Sequence, residues 1–191
     1  MDNGTKTSYL TIEAKAEGLY KDKGSRFLAF AEPVCTEDEV KERLAFYRKT
    51  YHDARHVCFA YKLDDISRCS DDGEPSGTAG KPIMGRIESN GLDRILIVVV
   101  RYFGGILLGT GGLVVAYREA AQDALAHAKI IECDITANRT LHFSYEQMHD
   151  VMRLIKDTDA RIIRQDWNGS ICEMEVTVKI SKTEKFDNYG R

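Results

Sequence analysis

Positive charge is not in excess in this chain: 27 Lys and Arg stand against 30 Asp and Glu, a formal net charge of −3. Proteins that coat nucleic acid non-specifically draw most of their affinity from neutralising phosphates and are usually basic. That class is excluded, and any RNA contact must come from a local patch. Cysteine is sparse and unpaired. The five cysteines, at 35, 58, 69, 133 and 172, are odd in number and contain no Cys-x-x-Cys, which rules out a disulfide framework or a zinc ribbon and predicts buried or half-buried free thiols. No apolar run approaches the roughly 18 residues needed to span a bilayer, so no membrane partner is expected. The opening Met1-Asp2-Asn3-Gly4-Thr5 lacks a basic segment followed by an apolar one, and the protein is expected to be cytoplasmic.

Proline is also scarce, yet two of the three, Pro75 and Pro82, fall where glycine is dense. Ten of the 15 glycines lie between Gly73 and Gly112. Glycine loses more backbone freedom on folding than any other residue, so chains concentrate it where φ must be positive or backbone must approach something closely. Two glycine clusters flank the apolar run Ile95–Val100, and the second opens a helix. The pattern predicts a shaped surface around residues 70–82 and 101–118.

Taken in order, residues 7–15 alternate weakly and Arg26–Ala31 is rich in β-formers. With the charged turn Lys21-Asp22-Lys23-Gly24 between them, they read as a hairpin. Thr36-Glu37-Asp38-Glu39 is a capping box, and Val40, Leu44, Tyr47 and Tyr51 share one face of a helix over 37–50. Residues 55–62 form a third strand, Asp64-Asp65 a turn, and 82–88 one helical turn. The run from Arg94 to Arg101 is continuous and apolar, as in a strand covered on both faces. A second helix follows, with Leu113, Tyr117, Ala120, Ala124 and Ala128 on one face. Beyond a strand-like linker at 130–137 comes a smaller unit: a strand at 138–145, a cap at Ser144, a helix through Ile155, and a hairpin turning at Asn168-Gly169.

Neither nucleotide cradle fits. A P-loop read back from Gly80-Lys81 fails at Pro75 and at Pro82, and the dinucleotide fingerprint on Gly109 and Gly111 finds Val114 at its third glycine. What remains is a helix N-terminus rich in free amides, which attract anions, or else tight backbone packing. Asp71, Asp72 and Glu74 have the oxygen chemistry of a divalent-metal site, but acidic residues beside Gly and Pro also make turns, and no metal or cofactor is expected. His52 and His56 are four apart, yet one should end a helix and the other begin a strand. They read as surface histidines. Nothing in the sequence joins Cys69, Ser70 or Ser76 to a histidine base.

The blocks Ser70-Asp-Asp-Gly-Glu-Pro-Ser-Gly-Thr-Ala-Gly-Lys-Pro82 and Val100-Arg-Tyr-Phe-Gly-Gly-Ile-Leu-Leu-Gly-Thr-Gly-Gly-Leu-Val114 closely resemble the YigZ/IMPACT family. Lys23-x-Ser25-Arg26-Phe27 and Asp53-Ala54-Arg55-His56 look like family positions too. The resemblance implies an α+β protein. Its residues 1–132 would be an IMPACT-type N-terminal domain, ribosomal-protein-like and similar to domain IV of elongation factor G. Residues 133–191 would be a small ferredoxin-like domain. A complete ferredoxin-like unit is βαββαβ, and the stretch after Lys182 is too short for a further helix and strand, so that domain is expected to be abbreviated. Eukaryotic members act in translational control, and no agreed catalytic residue comes with the family.

The leading expectation is a non-enzymatic, translation-associated regulator that binds RNA, a ribosomal component or a translation factor. Its contact surface would comprise Asp71, Asp72, Glu74, Lys81, Arg101, Tyr102, Gly104, Gly105, Thr110, Gly111, Gly112 and Arg118. Arg101 would supply positive charge, and Tyr102 and Phe103 would supply stacking. The alternative is a small-molecule or phosphate-ligand enzyme with its active site on Asp71, Asp72 and Arg101. A third reading has the glycines serve the fold alone, so that Gly111→Ala unfolds the protein.

Overall fold

The computed structural model describes residues 6–189; the opening Met1–Thr5, read above for a leader, and residues 190–191 lie outside the described residues. Residues 10–132 form one compact unit, and the flanking residues 6–9 group with 133–189 in a second. Mixed sheets and helices make the protein α+β.

In the first unit, strands β2 (Ala16–Asp22), β3 (Ser25–Pro33), β4 (His56–Leu63), β5 (Ile66–Ser70) and β6 (Ile95–Tyr102) form one sheet in the order β2-β3-β6-β4-β5. Every neighbouring pair is antiparallel. The hairpin turns at Lys23-Gly24, both at positive φ (44° and 78°), as a two-residue turn matched to strand twist requires. Its first strand is β2, not residues 7–15. The strand β1 (Ser8–Ile12) pairs instead with β7 (Ile130–Asp134). Gly18 explains why β2 reads poorly in the sequence. A Cβ there would lie 2.3 Å from the Ala124 amide nitrogen, so a strand-weakening residue sits where a helix backbone presses on the sheet.

Period-two alternation gives β6 two buried faces. Leu96, Val98 and Val100 pack with Val40, Leu44 and Tyr47 of helix α1 (Glu37–Thr50). Ile97 and Val99 face the opposite layer, helices α2 (Gly80–Ser89) and α3 (Gly109–Ala126). Small residues line that second interface on both sides: Ala29, Ala31 and Ala60 from the strands, and Ala116, Ala120, Ala121 and Ala124 from α3. They let the helix lie close to the sheet. Arg101 follows Ile97 and Val99 in phase, and so enters the α3 layer as the last side chain of the buried row.

In the second unit, β8 (Thr136–Ser144), β9 (Arg161–Asn168) and β10 (Ile171–Lys179) form an antiparallel sheet in the order β8-β10-β9. Ser144 and Gln147 make the expected capping box ahead of α4 (Met148–Thr158). Leu141, Phe143, Cys172, Met174, Val176 and Val178 pack with Val151 and Ile155 of that helix. Ile180–Tyr189 forms a 3-10 segment whose buried Phe186 enters the same core. No helix among the described residues is long and apolar enough to cross a membrane.

Candidate functional site

Asp71 organises the first glycine block. Its carboxylate accepts from the backbone amides of Gly77 (2.8 Å), Ala79 (3.0 Å) and Gly80 (2.8 Å), closing the loop and capping α2 at once. Burial works to raise its pKa, but the three amides, with Lys81, outweigh that and hold the carboxyl below its ordinary value. Gly80 is required here, because a Cβ would approach the Ser70 amide to 2.9 Å. Asp72, at φ 44°, turns its carbonyl to His56 Nδ1 (2.7 Å), which donates to it, and its Oδ2 accepts from the Val57 amide (2.7 Å). Its Oδ1 faces Arg48 at 3.7 Å. Asp71 is thus wholly engaged by the loop, while Asp72 remains partly exposed.

The turn so held presents Glu74 inward, its side chain only 3% exposed. Taking a carboxylate out of water costs several kcal/mol unless it is paired and hydrogen-bonded. Here Glu74 Oε1 accepts from Arg101 Nη1 (2.6 Å) and from Tyr117 Oη (2.8 Å), with His56 Nε2 at 3.7 Å. The Arg101 guanidinium lies 5.5 Å from the centre of the Phe27 ring and 5.6 Å from that of Phe103. Its Nε is buried without a partner. Cys58 Sγ sits 3.3 Å from Tyr117 Oη, and burial pushes both the thiol and the phenol well above their usual values. A thiol held protonated is a poor nucleophile.

Above this group opens a cavity of about 420 Å³, within the range of small-ligand sites. Arg55, His56, Glu74 and Arg101 line its polar side, Phe103, Leu107, Leu108 and Leu113 its apolar side, and Gly109 and Thr110 of the first turn of α3 complete it. No side chain caps α3. The loop before it is anchored at Gly104, whose amide donates to Ser25 Oγ (3.1 Å) and whose missing Cβ would fall 1.9 Å from the Gly24 carbonyl carbon.

Of the residues expected at a contact surface, the structure gathers Glu74, Arg101 and Thr110 around the cavity, with Gly104, Gly105, Gly111 and Gly112 in the loop and helix start beside them. Others go elsewhere. Tyr102, one residue on from Arg101, points to the α1 face of the sheet and donates to Asp53 Oδ1 (2.9 Å), so it cannot stack beside Arg101. Asp71 is committed to backbone amides, and Asp72 is shared between the Val57 amide and Arg48. Lys81 is exposed on α2, and Arg118 pairs with Glu119 (3.3 Å); neither lines the cavity. The charge of Arg101 is largely spent on Glu74 rather than offered outward. His56, read as a surface histidine, lies inside the site, while His52 is exposed. Tyr117, Leu107 and Leu108 were not singled out either. His56 is paired across the ladder with Arg101, a register no single sequence displays, although both fall within stretches that carry the family resemblance. Cys35 and Cys69 are exposed rather than buried.

A two-unit α+β protein with a glycine-bounded cavity over a buried Arg–Glu pair is the class these features define. Residues 23–125 match the family model described as the Impact N-terminal domain. The chain is 34% identical over 184 residues to the IMPACT family member YigZ of Escherichia coli K12, covering 94% of this chain and 90% of that one. It is 32% identical over 187 residues to the IMPACT family member YvyE of Bacillus subtilis 168, covering 95% and 85%. A solved structure described only as a hypothetical protein superposes with a TM-score of 0.76 at 34% identity, over 96% of this chain and 91% of that one. The chain belongs to the IMPACT family.

Proposed function

We propose that this protein is a non-enzymatic regulator associated with translation, engaging an RNA, a ribosomal component or a translation factor through the rim of the first unit's cavity. Family membership supports the translational setting, since the resemblance ties eukaryotic members to translational control. The observation that favours binding over catalysis is the state of the acidic groups. Asp71 is consumed by backbone amides, Asp72 is divided between the Val57 amide and Arg48, and Glu74 is held by Arg101 and Tyr117. Carboxylates so engaged hold a surface in shape rather than present a free oxygen to a substrate. The near-balanced charge of the chain fits a modest, site-directed contact with a shallow salt dependence.

Sedimentation through a sucrose gradient in its own cell extract tests the reading. Wild-type protein should migrate with ribosomal particles at low salt. Leu107→Asp, at a rim position 81% exposed, should release it to the top without unfolding it. Migration at the top by both proteins would refute the proposal.

A further inference from the structure

We propose that this protein forms a two-fold dimer by pairing its edge strand β9 antiparallel with β9 of a second copy. The proposal concerns the second unit and is independent of the translational reading.

β9 ends the sheet β8-β10-β9 on one side, and all eight of its residues are exposed. Such an edge presents unpaired amides and carbonyls, a template for another strand. The hairpin register shows which groups are free. Asn168 and Ile171 flank a two-residue turn, where the closing pair exchanges hydrogen bonds and the pattern alternates away from it. Arg164 and Asp166 therefore bond to β10, and the backbone groups of Gln165 and Trp167 point to the open edge. Natural edges are commonly blunted by proline, lysine or a bulge. β9 contains no proline or lysine, and its one irregularity falls at Ile163, which leaves residues 164–168 regular.

The two faces of this edge differ. Gln165 and Trp167 lie opposite Met174 and Cys172, whose side chains are buried on the α4 side. On that side Trp167 remains 42% exposed, with the Tyr145 ring 6.0 Å from its own, and Ile163 is 50% exposed. Arg164 and Asp166 occupy the other face and are hydrogen-bonded to each other. Asp166 also stands directly across from Glu173 of β10, and like charges so placed are destabilising. A cation on the open side of Asp166 offsets that repulsion.

The strand supplies this cation itself. A two-fold contact must be self-complementary, each residue meeting its partner twice. With the axis at Gln165, Arg164 of each copy falls opposite Asp166 of the other, and Ile163 falls opposite Trp167. Both charge pairs are attractive, and both apolar pairs set a β-branched residue against an aromatic ring, combinations that stabilise neighbouring strands. Moving the register by two residues sets Arg164 against Arg164 or Asp166 against Asp166. A slip of one residue mixes the apolar row with the charged face. Charge thus selects one register, and the strand that fits it is β9 itself.

Sedimentation equilibrium of the full chain, from micromolar to millimolar concentration, tests the proposal, with amide hydrogen exchange as a second readout. Wild type should pass reversibly from monomer to dimer, and protection of the Gln165 amide should rise with concentration. Arg164→Asp and Asp166→Arg should each weaken the dimer about tenfold, because each turns two attractive cross-strand pairs repulsive. An equimolar mixture of the two variants should restore association to about the wild-type level, since every charge pair between the copies is then attractive again. Recovery on mixing also shows that both variants are folded. A monomer at all concentrations, a dimer indifferent to both charge reversals, or variants that do not recover on mixing overturns the proposal. Protection of Gln165 by added cell extract, in a chain that stays monomeric, would assign the edge to a different partner and overturns it too. Ribosome sedimentation reads the cavity rim of the first unit, so either conclusion can fail while the other stands.

Discussion

Between Gly73 and Gly80 the backbone amides turn inward onto a single carboxylate, Asp71, and the helix that follows begins already capped. Between Gly104 and Gly112 one amide, that of Gly104, is tied down, and the helix that follows begins with no side-chain cap. The two blocks share a residue type and lie on either side of β6, but the first is closed and the second open. The closed block positions Glu74 and thereby the Arg101 pair. The open block borders the cavity that pair supports. Glycine density in a sequence thus reports that backbone must come close to something. Whether that is the protein itself or a ligand depends on where the nearest acceptors lie.

The link between the blocks is the Arg101–Glu74 pair, and breaking it should have the largest effect. Arg101→Ala leaves Glu74 buried without its charged partner, and removing one member of a buried pair typically costs about 3–5 kcal/mol. Urea unfolding should register that loss. The double variant Arg101→Met with Glu74→Gln should recover a large part of it, since no buried charge then lacks compensation. Equal destabilisation by the single and double variants would mean that packing, not charge, dominates there.

Gly104→Ala comes next. Its methyl would fall 1.9 Å from the Gly24 carbonyl carbon, backbone against backbone, with no flexible side chain to yield. Overpacking of this kind costs about 1–3 kcal/mol, and the midpoint of thermal unfolding should drop accordingly. A variant as stable as wild type would show that the loop is not anchored at this point.

Asp71→Asn tests the closed block with a smaller expected cost, about 1–2 kcal/mol, the usual scale for losing a charged cap. It also carries a pH signature. The folded carboxyl titrates below its ordinary value, so its contribution is complete above the unfolded carboxylate range and is lost as pH falls through the folded pKa. The stability gap between wild type and Asp71→Asn should therefore be constant near neutrality and close in acid, below about pH 4. A gap independent of pH would mean that the amides do not favour the charged form.

Much of this frame was legible beforehand. Thr36 accepts from the Glu39 amide (3.1 Å), as the capping box predicts, because that signal lies within four consecutive residues. The continuous apolar run of β6 correctly announced two covered faces. Asn168-Gly169 placed its hairpin. The misses have a common cause. β5 (Ile66–Ser70) is an edge strand with no buried residue, so no alternation marks it. β2 was hidden by Gly18, whose purpose is a contact with α3 over a hundred residues away. In the site, Tyr102 and Arg101 are neighbours in the chain but on opposite faces, whereas His56 and Arg101 are distant in the chain and adjacent in the ladder. Those relations come from register, which composition and local motifs do not encode.

The smallest effect expected is also the one that most sharply separates the two blocks. Gly111 has negative φ and open space where a Cβ would stand. Nothing in the fold requires glycine there, and the third reading of the sequence, in which Gly111→Ala unfolds the protein, has no steric basis. Because glycine in a helix is less stable than alanine by roughly 0.5–1 kcal/mol, the variant should be as stable as wild type or slightly more so. Gly104→Ala, seven residues earlier, should be distinctly less stable. Measured side by side under one denaturant, opposite signs would establish that the second block is fixed at its anchor and free at its helix start. Destabilisation of both would instead place an unrecognised backbone contact at Gly111, and the open character of the α3 N-terminus would have to be abandoned.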